Sequence, residues 1–285
     1  MIDYHCHLLP GLDDGPDSVD ESLEMARALA AFGFREVHCT PHCIAGQYEI
    51  PPVEVREAVR RLQARLDQAG VALTLRSGME YYLDDCFERF AANLLPLGES
   101  RVVLCEAPPL APAELVSEMA GLIVVQGFVP LIAHPERSEV VWHMLRPHGD
   151  RQELPAVDTN DEVSSGPWWR RLFNRTTGAA TDDAAPEAHH SSLIAQYAAL
   201  PEESLFQANL GSFVGFYGPQ PQRRAYELLQ RGVYRCLASD LHEGRSAAAL
   251  LDDARGKLDY NPALRKLGEF RAPQGQGGNS QLAFW

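Results

Sequence analysis

Phe128-Val129-Pro130-Leu131-Ile132-Ala133-His134-Pro135-Glu136-Arg137 decides the fold. Six apolar residues, enough for a buried strand, run straight into a histidine, a proline and two charged residues. Just upstream, Ala113 to Gln126 reads as a helix stopped by Gly127, the residue type that tolerates the left-handed turn at a helix end. Helix, glycine, apolar strand and polar strand end together form one unit of a repeating pattern.

The same unit recurs in both directions. Toward the N-terminus, Met1 to His5 is a short apolar start, and Leu9 to Pro16 is a loop of Gly, Pro and Asp. Ser18-Val19-Asp20-Glu21 then fits a capping box, followed by an apolar face of Leu23, Met25, Ala26, Leu29, Ala30 and Phe32, and by Gly33 as a stop. Strands are expected over Arg35 to Cys39, Val71 to Arg76 and Val102 to Cys105, with helices over Val53 to Ala69 and Asp84 to Leu95. Toward the C-terminus come a strand over Leu205 to Ala208, a helix over about Pro221 to Arg231 ended by Gly232, and a strand over Tyr234 to Ala238. About seven strands alternating with helices predict a parallel α/β architecture. A doubly wound sheet would show the same rhythm, and the residues at the strand ends favour a barrel.

Two stretches break the rhythm. Residues 147–190, rich in Asp, Thr, Ala and Pro, read as an inserted loop. At its centre, Trp168-Trp169-Arg170-Arg171 reads as solvated loop with a partner contact as the alternative. Residues 271–285 read as a flexible tail, leaving 1–270 as a single domain.

The 285 residues carry a net charge of −14, with 45% hydrophobic and 22% charged residues. That balance suits a globular enzyme and argues against a nucleic-acid binder, which would show a basic face. No apolar run approaches the ~18 residues of a membrane span, and no secretory leader is visible, so a cytoplasmic protein without membrane insertion is expected. The six cysteines, Cys6, Cys39, Cys43, Cys86, Cys105 and Cys236, form no CxxC pair and read as free thiols.

Chemistry gathers where strands stop. The ends carry His5 with His7, His42, Glu80, Glu106, His134, and Asp240 with His242. In a βα barrel the C-terminal strand ends converge on one face, and residues two apart on a strand point the same way. Five histidines and three carboxylates exceed the three protein ligands of one catalytic zinc and suggest two or three divalent ions. Mixed imidazole and carboxylate donors suit Mn, Fe or Zn better than Mg or Ca. A single His-x-His would signify little; its combination with the other strand ends carries the reading. His38, His143, His148, His189 and His190 lie inside a strand, a helix or the insertion and read as outside the site.

On these residues the chain resembles the PHP superfamily, the polymerase and histidinol phosphatase type metallohydrolases. Within it the chain is most similar to the bacterial PHP-type (CpsB/CapC-like) protein tyrosine phosphatases of capsule and exopolysaccharide systems. The motifs are Asp3-Tyr-His-Cys-His-Leu-Leu-Pro-Gly-Leu-Asp-Asp-Gly-Pro16, Thr40-Pro-His42, Gly78-Met-Glu80, Ala133-His-Pro-Glu-Arg137, Asn209-Leu-Gly-Ser212 with Gly218, and Ser239-Asp-Leu-His242. The resemblance implies a distorted (β/α)7 barrel with the metal site at the C-terminal ends of the strands. It also implies two or three metal ions, most often manganese, held by the eight residues above, and it admits homo-oligomers. The implied activity is phosphate monoester hydrolysis on a phosphotyrosine protein, a polysaccharide-synthesis tyrosine kinase, with histidinol phosphate or another small monoester as the alternative substrate.

Arg137 is the expected phosphate clamp, since a guanidinium can grip phosphate through two parallel hydrogen bonds; a salt bridge to Glu136 is its structural alternative. Asp14, and behind it Asp13, could reach the site from the first loop, although Gly-Asp-Asp-Gly-Pro is also ordinary turn chemistry. Arg245 is a further candidate clamp, closer to His242 than the family spacing. Rival phosphatase chemistries are excluded by residues: no cysteine has an arginine six positions on, and no GxxxxGK[ST] loop is present.

Overall fold

Among the described residues, nine short strands, all parallel to their neighbours, run in chain order. The computed structural model describes residues 1–146 and 199–274, the side chain of Arg245 excepted. Within these, the strands are β1 (Ile2–Cys6), β2 (Glu36–Cys39), β3 (His42–Cys43), β4 (Thr74–Ser77), β5 (Glu80–Tyr82), β6 (Val102–Glu106), β7 (Val129–Ile132), β8 (Leu205–Asn209) and β9 (Cys236–Ala238). The helices are α1 (Val19–Phe32), α2 (Pro52–Gln68), α3 (Glu88–Ala91), α4 (Ala113–Val125), α5 (Glu139–Leu145), α6 (Leu210–Phe213), α7 (Pro219–Gln230), α8 (Gly244–Tyr260) and α9 (Pro262–Leu267). Every one of these elements lies in one compact unit.

The strands form a three-stranded sheet, β1-β2-β4, and a six-stranded sheet, β3-β5-β6-β7-β8-β9. Two interruptions separate them. Thr40-Pro41 lies between β2 and β3, where Pro41 has no N–H for a ladder. Gly78-Met79 lies between β4 and β5, and a Cβ on Gly78 would sit 2.7 Å from Leu97 Cδ2. Backbone bonds cross both breaks: Thr40 N donates to Cys6 O at 3.0 Å, Gly78 N to Cys39 O at 3.0 Å and Glu80 N to Pro41 O at 3.0 Å. The ends of the sheet meet as well, with Asp240 N donating to His5 O at 2.8 Å and His7 N to Leu241 O at 3.0 Å. The result is a mixed α/β protein with a curled parallel sheet.

Strand periodicity sorts the core into two parts. Val102 and Leu104 of β6 and Leu131 of β7 join Tyr4, Leu97, Ala133 and Cys236 in one cluster. Val103, Cys105 and Ile132 join a larger cluster with helix residues such as Leu29, Leu62, Ile123 and Leu228. Glu106 lies two positions beyond Leu104, so the face that buries leucine within β6 offers a carboxylate at its end.

The first helix starts as expected, with a variation. Ser18 Oγ accepts from Glu21 N, but the Glu21 carboxylate takes the N–H of Asp17, one residue before the cap. Gly33 closes the helix in the left-handed region at φ 113°. The helix expected over Asp84 to Leu95 shrinks to α3, because Asp84 Oδ1 accepts from Cys86 N at 2.9 Å and locks an Asx turn. The segment taken as a tail from 271 begins docked: Ala272 N donates to Tyr4 OH at 3.0 Å and Arg101 N to Pro273 O at 3.3 Å. The expected insertion and the Trp168–Arg171 patch lie outside the described residues, as do 275–285. No helix among the described residues is long and apolar enough to cross a membrane.

Candidate active site

The strand ends bring all eight expected residues together. His5 and His7 leave β1 with their Nε2 atoms 3.0 Å apart. His5 Nε2 lies 3.1 Å from Glu80 Oε2 and 3.2 Å from Asp240 Oδ1. His7 Nε2 lies 3.4 Å and 3.5 Å from the same two oxygens. His42 Nδ1 approaches Glu80 Oε2 at 3.0 Å, and His134 Nε2 lies 3.3 Å from Glu80 Oε1 and 3.8 Å from Glu106 Oε1. Asp14 Oδ1 stands 3.5 Å from both His42 Nε2 and His242 Nε2, so Asp14 does reach the cluster.

Two of these residues sit on unusual backbone. His134 (φ 30°) and Asp240 (φ 53°) are the only non-glycine residues with positive φ among the described residues. Such a conformation is costly for a side-chain-bearing residue and persists where its surroundings impose it. Each closes an apolar strand and turns its side chain into the cluster.

A second layer fixes which nitrogen faces the centre. Asp13 Oδ2 accepts from His7 Nδ1 at 2.6 Å and from His42 N at 3.0 Å, and Oδ1 accepts from Gly15 N at 3.1 Å. Gln207 Oε1 faces His5 Nδ1 at 3.2 Å and accepts from His134 N at 3.3 Å. A backbone N–H can only donate, which sets this amide's orientation. Both His5 and His7 therefore carry their proton on Nδ1 and turn Nε2 inward, the arrangement that metal-binding histidines adopt. Asp3, buried, accepts from Ser239 N (3.0 Å), Ser239 Oγ (2.5 Å) and His5 N (3.3 Å), tying the two flanking strands together beneath the site.

The donor set fits divalent cations. Two imidazole lone pairs at 3.0 Å repel unless a cation or a proton lies between them. Glu80 is buried, yet neither of its carboxylate oxygens makes a hydrogen bond, although four imidazole nitrogens crowd around it. A buried carboxylate without donors is strongly disfavoured unless positive charge compensates it. Among the described residues, four overlapping groups have donor atoms that all lie within 4.8 Å of one another: His7/Asp14/His42/His242, His5/His7/Glu80, His5/His134/Asp240 and His42/Glu80/Glu106.

Without cations, protons fill that role. Burial pulls His5 down, but Glu80 and Asp240 outweigh it and raise it to about 9. Glu80 and Asp240 are held well below the usual carboxylate range, burial being overcome by the histidines and, for Asp240, by Arg137 as well. Burial, reinforced by Glu80, lifts Glu106 to about 7. Burial and the Arg137 charge press His134 down to about 4, leaving it a neutral donor.

Arg137 does not pair with Glu136. Its Nη1 donates to Asp240 Oδ2 at 2.5 Å, and its Cζ lies 4.1 Å from the centroid of the Tyr217 ring. Glu136 turns away, accepting from Asn209 N at 3.2 Å and Tyr234 OH at 2.8 Å. Arg245 is the second residue of α8, and its side chain lies outside the described residues. His38 stacks on Tyr4 with ring centroids 5.0 Å apart, and His143 pairs with Glu139 at 3.1 Å. His148, His189 and His190 lie outside the described residues. The sequence reading passed over Gln207, Asp3 and Tyr217 and ranked Asp13 below Asp14. Gln207 was detectable as a polar residue in the otherwise apolar start of β8, two positions before Asn209.

Fold and site together define a curled parallel α/β protein with a buried histidine–carboxylate centre suited to metal ions. The sequence profile of the capsular polysaccharide synthesis family CpsB/CapC matches residues 1–148, and the chain belongs to that family. It is 36% identical over 143 residues to the tyrosine-protein phosphatase YwqE of Bacillus subtilis strain 168, a stretch covering 50% of this chain and 56% of that protein. It is 29% identical over 143 residues to the tyrosine-protein phosphatase CpsB of Streptococcus pneumoniae, covering 50% and 59%. In these matches the chain spans a little over half the length of the curated relatives. A crystal structure described as YwqE from B. subtilis and CpsB from S. pneumoniae, unique metal-dependent tyrosine phosphatases, superposes over 98% of this chain and 100% of that one. Its TM-score is 0.59 and its identity 25%.

Proposed function

We propose that the protein is a metal-dependent phosphoric monoester hydrolase that dephosphorylates a tyrosine kinase of capsule or exopolysaccharide synthesis. The observation that carries the reading is Glu80, a buried carboxylate ringed by four imidazole nitrogens at 3.0–3.4 Å. The likeness to the named tyrosine phosphatases supports the substrate class.

His5, His7, His42, Glu80, Glu106, His134, Asp240 and His242 would hold two or three divalent ions, manganese first and iron or zinc next. Asp14 adds a ninth donor. When bound, such ions neutralise phosphoryl charge and acidify a water toward neutral pH. Asp13 and Gln207 hold the His7 and His5 rings in the tautomer that presents Nε2. Arg137 keeps one N–H on Asp240 and has four more to grip the non-bridging phosphoryl oxygens. The leaving phenolate, with a pKa of about 10, needs little protonation.

The sheet joined at His5 and Asp240 supports a closed, distorted (β/α)7 barrel, in which β2 with β3 and β4 with β5 are each one broken strand. In this reading 1–270 is a single domain with 147–190 inserted. Six free cysteines, five of them buried, suit the reducing cytoplasm as its place of work.

The test is phosphate release from a phosphotyrosine peptide and from histidinol phosphate by chelator-stripped protein, with and without manganese, beside His5→Ala. Manganese-dependent turnover of the peptide, lost in the variant, is expected. Turnover of histidinol phosphate alone would move the protein to small monoesters, and turnover by stripped protein would refute the metal requirement. Manganese should also raise the stripped protein's stability by about 2.7 kcal/mol per site at a hundredfold excess over Kd, read by calorimetry.

A further inference from the structure

Beyond the histidine–carboxylate centre, the loop between α6 and α7 presents two aromatic side chains in opposite settings. Tyr217 packs inward, its OH 3.4 Å from Asn209 Nδ2 and 3.5 Å from Asp240 Oδ2, with Arg137 against its ring. A Cβ on Gly211 would stand 2.8 Å from Tyr217 Cε2, so position 211 is kept bare for this ring. Phe216, the next residue back, is 57% exposed and meets the Tyr217 ring edge-on, with centroids 5.1 Å apart at 86°.

The loop is built to hold this pair. Gly215 (φ 79°) and Gly218 (φ 90°) bracket it in the left-handed region. Phe216 N donates to Gly211 O at 2.9 Å and Gly218 N to Gly215 O at 3.0 Å. Of the other exposed large apolar residues among those described, Val53, Val125 and Tyr260 stand at helix ends and Leu110 in the loop after β6. Phe216 instead stands one ring away from the guanidinium expected to grip phosphate. A water-exposed phenylalanine fixed there offers a face or edge to an incoming aromatic ring.

We propose that Phe216, backed by Tyr217, is the specificity-determining wall of the site, receiving the aryl group of the substrate so that aryl phosphate monoesters are preferred over alkyl ones. The proposal rests on the phosphoesterase reading and adds the residue that selects within it. Tyr217 acts as a positioning residue, holding Arg137 by a cation–π contact and Phe216 by an edge contact. The charged centre alone would treat phosphotyrosine and phosphoserine alike at the phosphoryl group.

The test uses full-length, manganese-loaded protein and two non-hydrolysable ligands, phenylphosphonate and methylphosphonate, titrated by calorimetry. Wild type should bind phenylphosphonate more tightly. Phe216→Ala should weaken phenylphosphonate about fivefold, in the range of one aromatic contact, and leave methylphosphonate within twofold. Phe216→Tyr should restore the preference. Equal loss on both ligands, or an unchanged preference in Phe216→Ala, would overturn the proposal, as would a wild type that binds neither. If wild type shows the preference and Phe216→Ala loses it, yet wild type hydrolyses no phosphate monoester, the wall stands and the phosphatase reading falls.

Discussion

Replacing Asp13 by asparagine should weaken metal binding more than any change of one polar group at the rim. The carboxylate accepts three hydrogen bonds, from His7 Nδ1 (2.6 Å), His42 N (3.0 Å) and Gly15 N (3.1 Å). An amide has one oxygen. If that oxygen faces His7 and His42, the NH2 opposes the Gly15 N–H; if it faces Gly15, the NH2 opposes His7 and His42. Either way at least one N–H loses its acceptor, at a cost of about 1–3 kcal/mol. The His7 ring also loses the negative charge that fixes its tautomer. Losing such an outer partner typically costs 10–100-fold in metal affinity, or about 1.4–2.8 kcal/mol. The assay is manganese titration of stripped wild type and Asp13→Asn by calorimetry, with thermal unfolding of both stripped proteins. A manganese Kd within twofold of wild type would refute the reasoning, whatever the melting temperature did. It would mean that His7 presents Nε2 without help.

Gly15→Ala should abolish metal loading and activity together. The new Cβ would stand 2.5 Å from His7 O, and a backbone atom cannot swing aside; overpacking of this kind costs about 1–3 kcal/mol, read by denaturant unfolding beside a manganese titration. The Glu139–Arg224 pair predicts a separate pH dependence. Burial pushes Glu139 up, but Arg224 Nη2 at 2.6 Å outweighs it and holds the carboxyl below its ordinary range. Its contribution is therefore present above the unfolded value of about 4.5 and is lost as pH falls through the lower folded value. Wild type and Glu139→Gln should differ in unfolding free energy at pH 7 by less than about 1 kcal/mol, since Glu139 is half exposed, and should converge near pH 3, read by denaturant unfolding at each pH.

The strand ends were legible because each apolar run stops at a residue that has no place in a core. His5, Glu106 and His134 each break a hydrophobic pattern, and eight such residues at six strand ends mark the cluster without any tertiary knowledge. Legibility failed where local signals compete. Asp84 to Leu95 has helical composition, yet the Asp84 side chain offers its own backbone an alternative that wins over the first turn. The 17 residues of α8, Gly244–Tyr260, went unread because their start follows directly on a site loop and has no side-chain cap. The partner of Arg137 could not be read either. Glu136 is its neighbour in sequence, but the turn at His134 sends the two side chains in opposite directions, one to Asp240 and the other to Tyr234. The support given by Gln207 depends on a strand remote in sequence from β1 and leaves only the trace of a misplaced polar residue.

The bond from Asp240 N to His5 O joins the first strand to the last, and the neighbouring Asp3–Ser239 contact spans 236 residues of chain. During synthesis at roughly 5–20 residues per second, His5 and His7 emerge first and must wait for Asp240 for many seconds. Until then the cluster lacks the Asp240 carboxylate and the strand whose Ser239 is held by Asp3 beneath it. On the proposed function, ion capture would be a late event in the life of this chain. A nascent chain halted before β9 should hold manganese poorly, however well its first half has folded, so that loading would report the meeting of the two chain ends at His5 and Asp240.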